Sequence, residues 1–80
     1  MWFVYILKCS DGTFYTGITT DINKRLHYHN SSNLGAKYTR GRRPVKIVYS
    51  SKVTDKPEAL KQEFRIKKLT RKEKIKLIKS

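Results

Sequence analysis

Residues 2–18 read Trp2-Phe3-Val4-Tyr5-Ile6-Leu7-Lys8-Cys9-Ser10-Asp11-Gly12-Thr13-Phe14-Tyr15-Thr16-Gly17-Ile18, and this stretch decides the fold. From Trp2 to Leu7 every side chain is aromatic or aliphatic. Successive strand residues point to opposite faces, so a run that is apolar in both registers predicts a central strand covered on both sides. Ser10-Asp11-Gly12 fits a three-residue hairpin loop with glycine in the left-handed position, leading into a second strand from Thr13 to Ile18. That loop length sets the register: Cys9 faces Thr13, Leu7 faces Tyr15 and Tyr5 faces Gly17, which puts Tyr5 and Tyr15 on one face. A two-residue Asp-Gly loop would separate the two tyrosines. The longer loop is preferred because it uses Asp11 and Gly12 in their favoured places.

Working outward, Asp21 is a good N-cap for a helix to about Asn30, with Ile22 and Leu26 as its apolar pair. A polar stretch from Ser31 to Gly35 follows. Lys37 to Pro44 is basic with one aromatic inside it, and Val45 to Tyr49 alternates as a third strand. Asp55 with Glu58 has capping-box spacing for a helix through Leu69, and Thr70 with Glu73 repeats it for a last basic helix. The order is ββαβαα, an α/β chain of the α+β sandwich kind. A three-stranded antiparallel sheet flanked by helices buries the two-sided first strand most simply.

Eighty residues predict one domain over residues 1–80, near the size at which little apolar surface can be left idle. Nineteen Lys and Arg against six Asp and Glu give a formal net charge of +13. That charge concentrates polyanions, so nucleic acid is the expected partner. Cys9 is the only cysteine, which excludes an intramolecular disulfide and a multi-cysteine zinc site and points to a reducing, cytoplasmic setting. The apolar opening ends at Lys8, too short for a signal-peptide core or a membrane span, so no membrane association is expected.

Polar residues on inward faces mark the candidate site. At 100° per residue, Arg25 and His29 fall beside Ile22 and Leu26 on the sheet-facing side of the first helix, while His27 points away. An inward guanidinium is costly unless paired or lining a wet cleft; the plainer reading is a long stem covering the core edge with its head in solvent. A histidine near a helix end is as often a capping or packing residue as a catalytic one. On the third helix Ala59, Leu60 and Ile66 mark an apolar arc, with Glu63 projecting into it. Glu63 either forms a surface ion pair with Lys67 four residues on or serves the site. Of the six acids, Asp11 belongs to a turn, Asp21 and Asp55 to caps, and Glu58 and Glu73 to capping boxes, which leaves Glu63 without a structural assignment. If Tyr5, Tyr15, Arg25, His29 and Glu63 converge, one carboxylate cannot hold two metals, and a single hydrated Mg²⁺ (or Mn²⁺) on Glu63 is the remaining option. Arg25 would neutralise charge on a phosphate. A tyrosine base at neutral pH needs help, because its ordinary pKa is about 10, and His29 is the easier proton acceptor.

These residues resemble the GIY-YIG nuclease superfamily, in particular its small single-domain bacterial members. Phe3-Val4-Tyr5 stands at the first signature triplet and Tyr15-Thr16-Gly17 at the second. Arg25 with His29 one turn later, and the helix Glu58 to Lys68 carrying Glu63, continue the match across essentially the whole chain. The resemblance implies metal-dependent hydrolysis of DNA phosphodiesters. Tyr5 would then activate water or assist the base, and Tyr15 would orient the phosphate or the water. Arg25 would stabilise the transition state, His29 would assist proton transfer, Glu63 would bind the metal, and Gly17 would permit close packing beneath the site. The first triplet lacks the family's Gly and Ile, and Leu69 to Ser80 carries no Asn where many members have one.

Two further readings stand beside the metal-dependent endonuclease, whose target would be a DNA structure or a single strand. One is a non-catalytic nucleic-acid-binding module on the same scaffold; the other is an accessory subunit docking an acidic protein. In the first two, Lys37, Arg40, Arg42, Arg43 and Lys67 contact backbone phosphates. Tyr38 either stacks on an unpaired base or anchors its loop.

Overall fold

The computed structural model describes residues 1–31 and 37–80, with the backbone alone described at Lys37. The polar stretch expected from Ser31 to Gly35 therefore lies, beyond Ser31, outside the described residues. The order is β1 (Trp2–Lys8), β2 (Phe14–Thr19), α1 (Ile22–Ser31), α2 (Lys37–Arg40), β3 (Lys46–Val53), α3 (Lys56–Lys67) and α4 (Arg71–Lys79). The three strands form one antiparallel sheet in the order β2-β1-β3, so the two-sided strand is central as its composition predicts. Apart from the one-turn helix α2, the element order is ββαβαα.

The hairpin has the longer loop. Tyr5 pairs with Gly17 and Leu7 with Tyr15, and the Cys9 N–H donates to the Thr13 carbonyl at 2.8 Å. Gly12 has φ of +85°, the left-handed region where a side chain would be strained. Asp11 completes the turn by accepting from the Thr13 N–H and hydroxyl at 3.0 and 2.6 Å.

Because β1 alternates, it serves two cores. Val4 and Ile6 pack with Val53, Ala59 and Ile66 beneath α3 and α4, whereas Tyr5, Leu7 and Cys9 pack with Val45, Tyr15, Leu26 and Ile47 on the α1 side. Strand β3 departs from simple alternation. Ile6 pairs with Tyr49 but Leu7 pairs with Ile47, so Val48 is an extra residue at a bulge. The bulge lets Val48 and Tyr49 both pack on the α3/α4 side while Ile47 turns to the tyrosine side. The strand expected to stop at Tyr49 runs on to Val53 because Ser50 to Val53 pair with Tyr5 to Trp2 along the remaining length of β1.

The caps match the sequence. The Lys24 N–H donates to the Asp21 carboxylate at 3.1 Å, and the Glu58 N–H to that of Asp55 at 2.9 Å. At α4 the capping box is reciprocal: the Glu73 N–H donates to the Thr70 hydroxyl and the Thr70 N–H to the Glu73 carboxylate. Helix α3 ends at Lys67, two residues short of the expected Leu69. Among the described residues no helix is long and apolar enough to cross a membrane.

Candidate active site

The hairpin register puts Tyr5 and Tyr15 on the face that α1 covers, and α1 turns Arg25 and His29 inward toward them. Tyr5 is 2% exposed and His29 is fully buried. The Tyr5 hydroxyl lies 3.0 Å from His29 Nε2, and the Arg25 guanidinium is near enough to act on the phenol electrostatically. The Tyr15 ring meets the His29 ring edge-on, with centroids 5.3 Å apart. Arg25 is half-buried and opens onto a shallow groove of about 250 Å³ lined by Thr19, Thr20, Asp21, Lys24, Arg25 and Tyr28. The inward arginine therefore sits beside a phenol and lines an open groove.

Burial dominates the electrostatics. Removal from water raises the Tyr5 pKa above its ordinary 10, against the opposing pull of the Arg25 guanidinium. His29 is pushed down to about 4, first by burial and then by the neighbouring Arg25 and Arg43 guanidiniums. It is thus neutral at pH 7, able to accept a proton but a weak base until negative charge arrives beside the arginines. The depressed value also couples the ring to stability. Above pH 6.5 the imidazole is neutral both folded and unfolded; below it the unfolded chain takes up a proton that the folded chain refuses until about pH 4. Stability is therefore expected to fall as the pH drops from 6.5 toward 4. Thermal midpoints recorded across that window should decline, and a flat profile would mean that the ring is not held neutral.

Glu63 comes from α3, which packs on β2 and β1 from the opposite side to α1. Its side chain is 20% exposed, and Lys67 Nζ lies 3.8 Å from Oε2, so the expected i,i+4 pair is present. Its charge is nevertheless felt at Tyr5, where it is one cause of the raised pKa. At 3.8 Å the pair is looser than a direct charge-assisted hydrogen bond, which leaves a partly solvated carboxylate able to take a cation. Among the described residues no group of three or more His, Cys, Asp or Glu could hold a metal. One carboxylate together with waters and a phosphate is the way Mg²⁺ is commonly bound, so these residues fit a single hydrated ion and do not fit zinc or a metal pair.

Over residues 1–76 the sequence matches the family model of the GIY-YIG catalytic domain. The chain belongs to the GIY-YIG family. That family is of nuclease type, and nucleic acid is its class of substrate. Among the relatives of this GIY-YIG chain are UPF0213 proteins of Desulfotalea psychrophila (54% identical, 99% of this chain and 72% of the relative) and Staphylococcus epidermidis (54% identical, 95% and 92%). Two structures solved by solution NMR share the fold. The UPF0213 protein BH0048 of Bacillus halodurans is 45% identical with a TM-score of 0.62, covering 99% of this chain and 84% of that one. The protein EF2693 of E. faecalis is 48% identical with a TM-score of 0.65, covering 96% and 81%.

Within this GIY-YIG domain the basic segment is built into the wall of the site. The Tyr38 ring stacks on Tyr15 at 5.8 Å, and the Arg42 guanidinium sits 4.1 Å from the Tyr38 centroid, contacts that fit the loop-anchor reading. Arg42 also pairs with Asp11 at 3.0 Å and donates to the Tyr38 carbonyl at 2.8 Å, tying α2 to the hairpin tip. Arg43 Nε donates to the His29 carbonyl at 2.6 Å, at the C-terminal end of α1. Arg40 and Lys67 are exposed, and the Lys37 side chain lies outside the described residues.

Three residues were not singled out in the sequence. Thr39 is fully buried with Oγ1 2.9 Å from His29 Nδ1. Asn30 clamps the chain just before β3, donating to the Val45 carbonyl at 3.0 Å and accepting from its N–H at 2.7 Å. Lys24 lines the groove beside Arg25. Only Lys24 carried a legible signal, since it neighbours Arg25 and adds a second cation to the same helix.

Proposed function

We propose that this chain is an endonuclease that hydrolyses DNA phosphodiester bonds with one Mg²⁺ (or Mn²⁺) held at Glu63, acting on a DNA structure or an exposed single strand. The observation that carries the reading is the Tyr5 hydroxyl, 3.0 Å from Nε2 of a neutral His29 and beside the Arg25 guanidinium, which itself lines a groove with Lys24. A phenol so placed takes a proton from water on its oxygen while passing its own proton to His29 Nε2. The water oxygen bonds to phosphorus, the ester bond to the departing sugar oxygen breaks, and that oxygen leaves as an alcohol after protonation by solvent. Arg25 donates to the phosphate oxygens as their charge grows, and Tyr15 orients the phosphate or the water. Burial is the main cause of the low basicity of His29, and the incoming phosphate offsets the further contribution of Arg25 and Arg43. Bound at Glu63, the divalent ion supplies Lewis-acid stabilisation of the same charge.

Around this centre Lys24, Lys37, Arg40 and Lys67 contact backbone phosphates, while Arg42 and Arg43 set the wall they act from and remain within reach of a strand. Tyr38 anchors the wall through Tyr15, with its partly exposed edge toward a base. The buried, unpaired Cys9 suits a reducing cytoplasm.

The raised Tyr5 and lowered His29 pKa values favour one second reading, a nucleic-acid-binding module in which the proton never moves. Supercoiled and branched DNA incubated with the protein in Mg²⁺ separates the two. Nicking that chelator removes is the expected result, and binding without nicking across varied DNAs and metals would select the module. In either case the affinity should fall with salt. Four contacted phosphates predict a log–log slope of about −3.6, which is roughly a hundredfold loss between about 50 and about 200 mM. A flat response would remove nucleic acid from consideration.

A further inference from the structure

Tyr5, His29 and Thr39 form one hydrogen-bonded line through the buried interior on the α1 side of the sheet. Its direction follows from the first member. The phenol has a single proton, and at 2% exposure it must be satisfied within the protein, which directs it to His29 Nε2 at 3.0 Å. A neutral imidazole that accepts at Nε2 carries its own proton on Nδ1, and Nδ1 faces Thr39 Oγ1 at 2.9 Å. In the reverse polarity Nε2–H would donate to the Tyr5 oxygen, and the buried phenol proton would be left over.

We propose that Thr39 is a positioning residue that holds His29 in the Nδ1–H tautomer and so presents Nε2 to Tyr5 as a proton acceptor. The inference rests on the nuclease reading for its consequence and extends it from the reacting pair to the group behind it. In water a neutral imidazole favours the Nε2–H form, which here would aim a proton at Tyr5 and block the relay. Which ring nitrogen is protonated is set by the partner of the other one. Thr39 is suited to that task because it cannot drift. It is fully buried in α2, the preceding Tyr38 stacks on Tyr15, and Arg42 ties the Tyr38 carbonyl and Asp11 together.

Long-range ¹H–¹⁵N correlation of the imidazole nitrogens reads the tautomer directly and without substrate, with the exposed His27 as an internal reference. In the wild-type chain at neutral pH, His29 Nδ1 is expected to show the protonated-nitrogen shift and Nε2 the unprotonated one. Thr39→Val keeps the shape and removes the hydroxyl. It should shift the ring toward Nε2–H and lower Mg²⁺-dependent nicking at least about tenfold, a part of the roughly 10²–10⁴-fold that a positioned acid–base group contributes. Affinity for DNA should stay within about twofold, because the change acts on the chemical step. Thr39→Ser should restore both the shifts and the rate. A wild-type ring protonated at Nε2, or an unchanged tautomer in Thr39→Val, would overturn the proposal. If Thr39→Val fails to fold, the wild-type and Thr39→Ser spectra still decide it. An inactive wild type whose ring is protonated at Nδ1 would reject the nuclease reading and leave the tautomer assignment standing.

Discussion

Glu63→Gln is expected to lose cleavage at least a thousandfold while the protein still folds and still binds DNA. The amide has nearly the same shape as the carboxylate but lacks the charge that holds a divalent cation. Withdrawing that cation removes several kcal/mol of transition-state charge stabilisation, and about 4 kcal/mol corresponds to about a thousandfold in rate. The fold should hardly notice, since the structural partner of Glu63 is an exposed Lys67 at 3.8 Å, and such i,i+4 pairs contribute only about 0.3–0.5 kcal/mol. Binding should be retained or slightly tighter, because one negative charge leaves the vicinity of the phosphates. Nicking and thermal unfolding of the same preparation check both halves, and cleavage that survives the substitution would reject the metal site.

Gly17→Ala should damage stability and activity together. A Cβ at this position would lie 2.6 Å from the Tyr5 hydroxyl oxygen, 2.8 Å from Tyr5 Cζ and 3.2 Å from Tyr15 Cε2. Neither ring is a flexible surface end: Tyr5 is buried between β1 and α1, and Tyr15 is held between His29 and Tyr38. Relief must come from moving Tyr5 off His29 Nε2 or from bending β2. Overpacking of this kind costs about 1–3 kcal/mol, and each kcal/mol lowers the melting midpoint of a chain this size by about 4–8 °C. A displacement near 1 Å at the reacting group costs about a hundredfold in rate. Gly41→Ala is the matched control. Its Cβ would meet nothing within 4 Å, so midpoint and nicking rate should both stay at wild-type values. A Gly17→Ala protein with wild-type activity and midpoint would show that the strand absorbs the methyl group and would overturn the predicted clash.

The parts of this architecture that could be read in advance are those governed by local rules. Loop chemistry at Asp11 and Gly12 fixed the hairpin register and hence the shared face of Tyr5 and Tyr15. Helical periodicity put Arg25 and His29 inward, and capping residues located the starts of α1, α3 and α4. Glu63 emerged by subtraction, once every other acid had a turn or a cap. The rest depends on partners distant in sequence. Arg42 reads in sequence as one of the phosphate contacts, and its pairing with Asp11 across 31 positions carries no local signal. Tyr38 reads equally as a base platform or a loop anchor in sequence, and the Tyr15 ring on which it stacks is far from it along the chain. Thr39 gave no signal, because a one-turn helix is too short for periodicity and its neighbours are charged. The β3 bulge was hidden for a similar reason: two consecutive residues facing the same way break the pattern by which a strand is recognised.

The three-residue connection at the hairpin tip carries a consequence for how such a molecule can change over generations. Removing one residue there would roll β2 by half a turn, sending Tyr15 and the space above Gly17 to the α3 side and Phe14, Thr16 and Ile18 to the α1 side. A single point mutation does not reverse that exchange. Surface lysines can come and go gradually, but this tip cannot be shortened without dismantling the face that gathers Tyr5, Tyr15 and His29.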